Sequence, residues 1–89
     1  MRIAATVAVY PLGQQDFRAI NRAIEVLRSF PLTVDVQPMH TEIEGEAAVV
    51  FEALQAAFNA AAEYGMTILV TTLTNVCGVE DSSESSATS

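Results

Sequence analysis

The sequence predicts one small α+β domain whose elements follow the order βαββαβ. Three observations support that reading. Residues 3–10, 32–37, 40–44 and 66–74 are β-branched and apolar, and they alternate or run continuously as strands do. Residues 17–30 and 46–64 instead repeat their apolar positions at helical spacing. Proline or glycine punctuates most of the junctions between these stretches.

The first strand, "IAATVAVY", sends Val7 and Val9 to one face and Thr6, Ala8 and Tyr10 to the other. Pro11 and Gly13 end it. Asp16 then stands at or near the N-cap of an amphipathic helix, with Phe17, Ile20, Ile24 and Leu27 on its apolar side. Arg18, Asn21, Arg22, Glu25 and Arg28 fill the opposite side, and Pro31 stops the helix. "LTVDVQ" and "HTEIEGE" both alternate and are separated by "PM", which reads as a hairpin. Val34 and Val36 share one face of its first strand, and Thr41 and Ile43 share one face of its second.

Gly45 closes the hairpin, and "EAAVVFEALQAAFNAAAEYG" forms the second helix. Its polar stripe of Glu52, Gln55, Asn59 and Glu63 is narrow, so its apolar arc is wider than one sheet face requires. Gly65 is its expected C-cap, and "MTILVTTLT" is the last strand. Residues 1–79 make the domain, and the acidic, Ser-rich residues 80–89 are expected to be a disordered tail. The order βαββαβ is the ferredoxin-like pattern, a four-stranded antiparallel sheet with both helices on one face. The helix-free face is expected to carry Tyr10, Leu69 and Leu73 and to meet another subunit.

With 89 residues, 51% of them hydrophobic, the chain has more apolar surface than one small core hides, which points to a homo-oligomer. Four arginines and no lysine stand against eleven acids, for a net charge of -7. That balance argues against nucleic acid and anionic membrane surfaces, and suits a cationic small molecule. The early apolar stretch is too short to span a membrane and lacks a signal-peptide pattern, so a cytoplasmic protein is expected. Cys77 is the one cysteine, so no internal disulfide is possible.

The residue types do not assemble into an enzyme. One histidine and one cysteine, with no Gly-rich phosphate loop, leave a Cys77–His40 nucleophile pair without an orienting motif. His40, Glu42 and Glu44 alternate on one strand face, a pattern that a solvated face explains better than a metal site. Asp16 reads either as a helix cap or as a carboxylate near a ligand cation. Asn75 and Cys77 end an apolar strand in an amide and a thiol, as a polar exit or as the lining of a site.

Three segments, "VYPLGQQDF", "HTEIEGE" with the following "VF..L" helix start, and "TLTNVCG", resemble the signature segments of the thiamine-binding protein family. The resemblance spans residues 3–79. It implies non-catalytic binding of thiamine or its hydroxymethylpyrimidine half, in thiamine uptake or salvage, without a cofactor. It also implies a homodimer or homotetramer, since some relatives carry two such domains in one chain. Gly78 follows the cysteine where tandem relatives often carry proline.

In that setting the Asn75 amide matches an aminopyrimidine with one donor and one acceptor. Thr41 or Thr72 supplies a hydroxyl, and Tyr10 or Phe51 stacks on the thiazolium cation. Asp16 is a candidate counter-charge, and His40 joins the set from the second segment. Strand order places Tyr10 and Cys77 at opposite ends of the sheet, so the exit of the last strand is expected to form a pocket from Asn75 and Cys77 with Thr41 and Glu44. The competing reading is a regulatory or structural ferredoxin-like oligomerisation module with a different small ligand.

Overall fold

The structure, a computed structural model, describes residues 1–14 and 16–76. Its elements are β1 (Arg2–Pro11), α1 (Arg18–Arg28), β2 (Thr33–Val36), β3 (Thr41–Glu46), α2 (Ala47–Ala62) and β4 (Thr67–Thr74). The four strands form one antiparallel sheet in the order β2-β3-β1-β4, the ferredoxin-like arrangement. The expected tail and Cys77 lie outside the described residues.

β1 runs through the middle of the sheet, and its alternation sets both faces. Ile3, Ala5 and Val7 are buried beneath the helices. They pair with Gly45, Ile43 and Thr41 of β3, so those residues lie on the same side. Gly45 sits inside β3 rather than after it. A Cβ there would lie 2.6 Å from Leu32 Cδ2, so the missing side chain is the space that Leu32 occupies.

The helix-free face departs from the expectation on β4. Tyr10 pairs with Ile68, Ala8 with Val70 and Thr6 with Thr72, so Ile68 and Val70 are its apolar residues. Leu69 and Leu73 pair with Val9 and Ala5 and belong to the helix side, where Leu69 packs against the core. The run "TILVTTLT" is apolar on both faces, so only its pairing with β1 decides which residues face which way.

Both helices bury small residues. α1 buries Ala19, Ala23 and Leu27, one position away from the expected line of Phe17, Ile20 and Ile24. α2 buries Val50, Ala53, Leu54, Ala57, Ala60 and Ala61. All of these except Ala60 belong to one continuous core, in which alanines let the two helices approach closely. Phe51 and Phe58 remain on the outer side of α2, 54% and 39% exposed.

The helix ends differ slightly from the reading of the sequence. Phe17 takes the N-cap position of α1 and offers no capping side chain. Asp16, one residue earlier, accepts the Arg18 N–H at 3.1 Å instead. α2 ends at Ala62, and Gly65 follows with φ +143°, a region other residues rarely enter.

Candidate ligand-binding site

Two hollows mark the surface. The first is a groove of about 280 Å³ between α1 and the β2–β3 hairpin, floored by the second half of β1. Val7 and Val9 form the floor, Ile20, Ile24 and Leu27 the helical wall, and Val36 and Met39 the hairpin wall. Phe17 and Met39 stand at its rims, 72% and 83% exposed.

Thr41 is the polar residue deepest in this groove. Its pairing with Val7 and Val36 turns it toward the helices, and it is only 6% exposed. Among the described residues its hydroxyl has no hydrogen-bond partner. Leaving a buried polar group unsatisfied costs about 1–3 kcal/mol, so such groups are rare in folded proteins. A hydroxyl held in this state on an apolar wall is ready to bond a polar atom of a bound molecule.

The second hollow, about 460 Å³, lies on the helix-free face over Ala4, Thr6, Glu42, Thr72 and Thr74. It is larger, but its polar groups already serve one another. The Thr6 and Thr72 hydroxyls share a hydrogen bond, Thr74 accepts the Val76 N–H at 3.0 Å, and Glu42 Oε2 lies 3.0 Å from His40 Nε2. Satisfied groups on an open surface gain little from a ligand, so the groove beneath α1 is the stronger candidate.

The sheet distributes the other sequence candidates widely. Tyr10 lies on the helix-free face, 51% exposed. Asp16 holds Arg18 Nε at 2.9 Å, and the same guanidinium lies 5.4 Å from the Tyr64 ring centroid. Glu44 pairs with Arg2 at 3.4 Å on the helix-free face. His40 reaches the groove mouth, although its imidazole turns to Glu42.

Asn75 follows Thr74, which pairs with Ala4. Thr41 pairs with Val7, on the far side of β1. Two strand spacings across and four residues along separate Asn75 from Thr41 by roughly 16 Å. The expected pocket of Asn75, Thr41 and Glu44 is therefore not assembled, because Thr41 and Glu44 also occupy opposite faces of the sheet. What reasoning from sequence passed over is the apolar wall. Ile20 and Ile24 read as core residues, yet they are only half-buried and face the groove. The signal was present, since α1 has a second line of small buried residues that already fills the core.

Among the described residues no three His, Cys, Asp or Glu side chains come together to hold a metal. Among them, too, no helix is long and apolar enough to cross a membrane.

Sheet, helices and groove together define a small ferredoxin-like domain with an apolar cleft and one buried hydroxyl. The chain belongs to the thiamine-binding protein family, whose model matches residues 5–76. Solved structures agree on the fold. A hypothetical protein from Methanocaldococcus jannascii superposes with a TM-score of 0.81 at 21% identity, over 91% of this chain and 87% of its own. A protein from Streptococcus pneumoniae gives 0.80 at 22% identity, over 90% and 94%. A candidate thiamine biosynthesis/salvage protein from Thermotoga maritima gives 0.75 at 22% identity, over 88% and 87%. No curated protein matches the chain.

Proposed function

We propose that this protein binds the hydroxymethylpyrimidine half of thiamine, free or as part of the vitamin, in the groove between α1 and the β2–β3 hairpin. It acts without catalysis, in thiamine uptake or salvage in the cytoplasm, as a homo-oligomer. The observation that carries the reading is the buried Thr41 hydroxyl, without a partner among the described residues, in a groove lined mainly by apolar side chains with Gln37 and His40 beside it. A pyrimidine ring is flat and carries acceptor nitrogens and an exocyclic amine, so one hydroxyl fixes its orientation while Ile20, Ile24 and Val36 cover its faces. A groove of about 280 Å³ sits just below the ~300–1,000 Å³ typical of drug-sized ligands. That size supports one substituted ring inside, with the thiazolium left at the rim near Phe17. A net charge of -7 favours that cation over phosphorylated forms.

Calorimetric titration with hydroxymethylpyrimidine and thiamine tests the reading. Both bind the wild type, and Thr41→Val weakens both by roughly 5- to 150-fold, the worth of one buried hydrogen bond. Absence of heat with either compound at millimolar concentration rejects the function. Binding that Thr41→Val leaves unchanged rejects the site.

A further inference from the structure

The tip of the β2–β3 hairpin leaves one side chain over the groove. The Gln37 N–H bonds the His40 carbonyl at 2.8 Å, so Pro38 and Met39 make a tight turn between two fixed ends. The Gln37 side-chain amide donates to Asp35 at 2.9 Å, and the His40 imidazole lies 3.0 Å from Glu42, so both polar neighbours are engaged. Met39 stands at the groove mouth, across from Phe17, and is 83% exposed.

All three methionines of the chain are exposed, Met1 at 74% and Met66 at 73%. Neither of those two lines the groove or the hollow on the helix-free face. A thioether makes a favourable contact with the edge of an aromatic ring, and its unbranched chain adapts to the ring's shape. An exposed thioether is also open to oxidation. Met39 joins the two properties at one atom, within reach of a ring in the groove and of an oxidant in solvent.

We propose that Met39 is an oxidation site through which hydrogen peroxide empties the groove, an inference that rests on the groove being the ligand site. The sulfur takes one oxygen from the peroxide. An S–O bond forms as the O–O bond breaks, the sulfur gives up two electrons, and the second oxygen leaves as water with both protons. The resulting sulfoxide is polar and chiral. It must shed water to lie against an apolar ring, so the rim that held the ligand now favours solvent. The fold is unaffected, because Met39 is no part of the core. Methionine sulfoxide reductases reverse the step, so the ligand can bind again.

The experiment treats the protein with hydrogen peroxide, removes the oxidant and titrates hydroxymethylpyrimidine by calorimetry. Peptide mass spectrometry follows each methionine. Affinity falls roughly tenfold or more as Met39 is converted, and the melting temperature stays constant. Methionine sulfoxide reductases restore the affinity. Bound hydroxymethylpyrimidine slows oxidation of Met39 and leaves Met1 and Met66 at their own rates. Met39→Leu keeps Met1, Met66 and Cys77, and its affinity is the same before and after peroxide. Met39→Gln, which puts an amide where the sulfoxide would be, binds weakly without peroxide. Affinity that survives full conversion of Met39 overturns the inference alone, and so does an equal loss in peroxide-treated Met39→Leu. Untreated wild type that does not bind at millimolar ligand overturns the proposed function and this inference with it.

Discussion

His40 and Thr41 are neighbours in the chain and face opposite sides of the sheet. The imidazole of His40 lies 3.0 Å from Glu42 on the helix-free face, whereas Thr41 is buried under α1 without a hydrogen-bond partner among the described residues. One residue in this pair is spent on the surface, and the other is held in reserve.

Thr41→Val is therefore expected to move stability and binding in opposite directions. Replacing an unsatisfied hydroxyl with a methyl of the same shape removes a desolvation cost of about 1–2 kcal/mol. In a domain of this size that raises the melting temperature of the ligand-free protein by roughly 5–10 °C. A fall in melting temperature would show that the hydroxyl has a partner in the unliganded fold.

Asp16→Asn separates two roles that the sequence leaves open. Asp16 bonds both the Arg18 N–H and the Arg18 guanidinium, and both side chains are more than half exposed. Asn keeps the first bond and loses the ion pair, which at such exposure is worth a few tenths of a kcal/mol at most. Stability is expected to stay nearly constant, and so is thiamine affinity. A loss confined to thiamine, with hydroxymethylpyrimidine unaffected, would make Asp16 the counter-charge of the thiazolium.

Asn75→Ala tests the alternative placement of the ligand. Asn75 is exposed beyond the end of β4 and far from the groove. Titration of this variant is expected to match the wild type. A drop of tenfold or more would move the site to the β4 exit.

Gly45→Ala is expected to destabilise the domain by about 1 kcal/mol or less, because the added methyl meets the end of the half-buried Leu32 side chain, which can swing aside. Chemical denaturation measures this. Combining the change with Leu32→Ala should recover part of the loss relative to the sum of the single changes, since it removes the atoms in collision. Strict additivity would locate the strain in the backbone of β3.

The fold is most legible in the sequence where the period is clear. β1 and the β2–β3 hairpin alternate, so Val7, Thr41 and Ile43 were legible as one face and Tyr10 and Glu44 as the other. β4 was legible as a strand but not in its orientation, because a run apolar on both faces carries no alternation. The site was harder still. Thr41 is legible as a hydroxyl donor, but strand order alone puts it with Glu44 at the exit of β4, whereas the register pairs it with Val7, away from Asn75. Ile20 and Ile24 were hidden for another reason. Periodicity identifies an apolar helical face without saying whether a neighbouring element closes over it.

That same helix divides its labour in a way that bears on how such proteins diverge. Ala19 and Ala23 keep almost no accessible surface, and enlarging a side chain at such a buried position typically costs about 1–3 kcal/mol. Ile20 and Ile24, one position along, border a hollow. Mutational drift is blocked on the first line and permitted on the second. The fold can stay fixed while the lining of the hollow is rewritten, one substitution at a time.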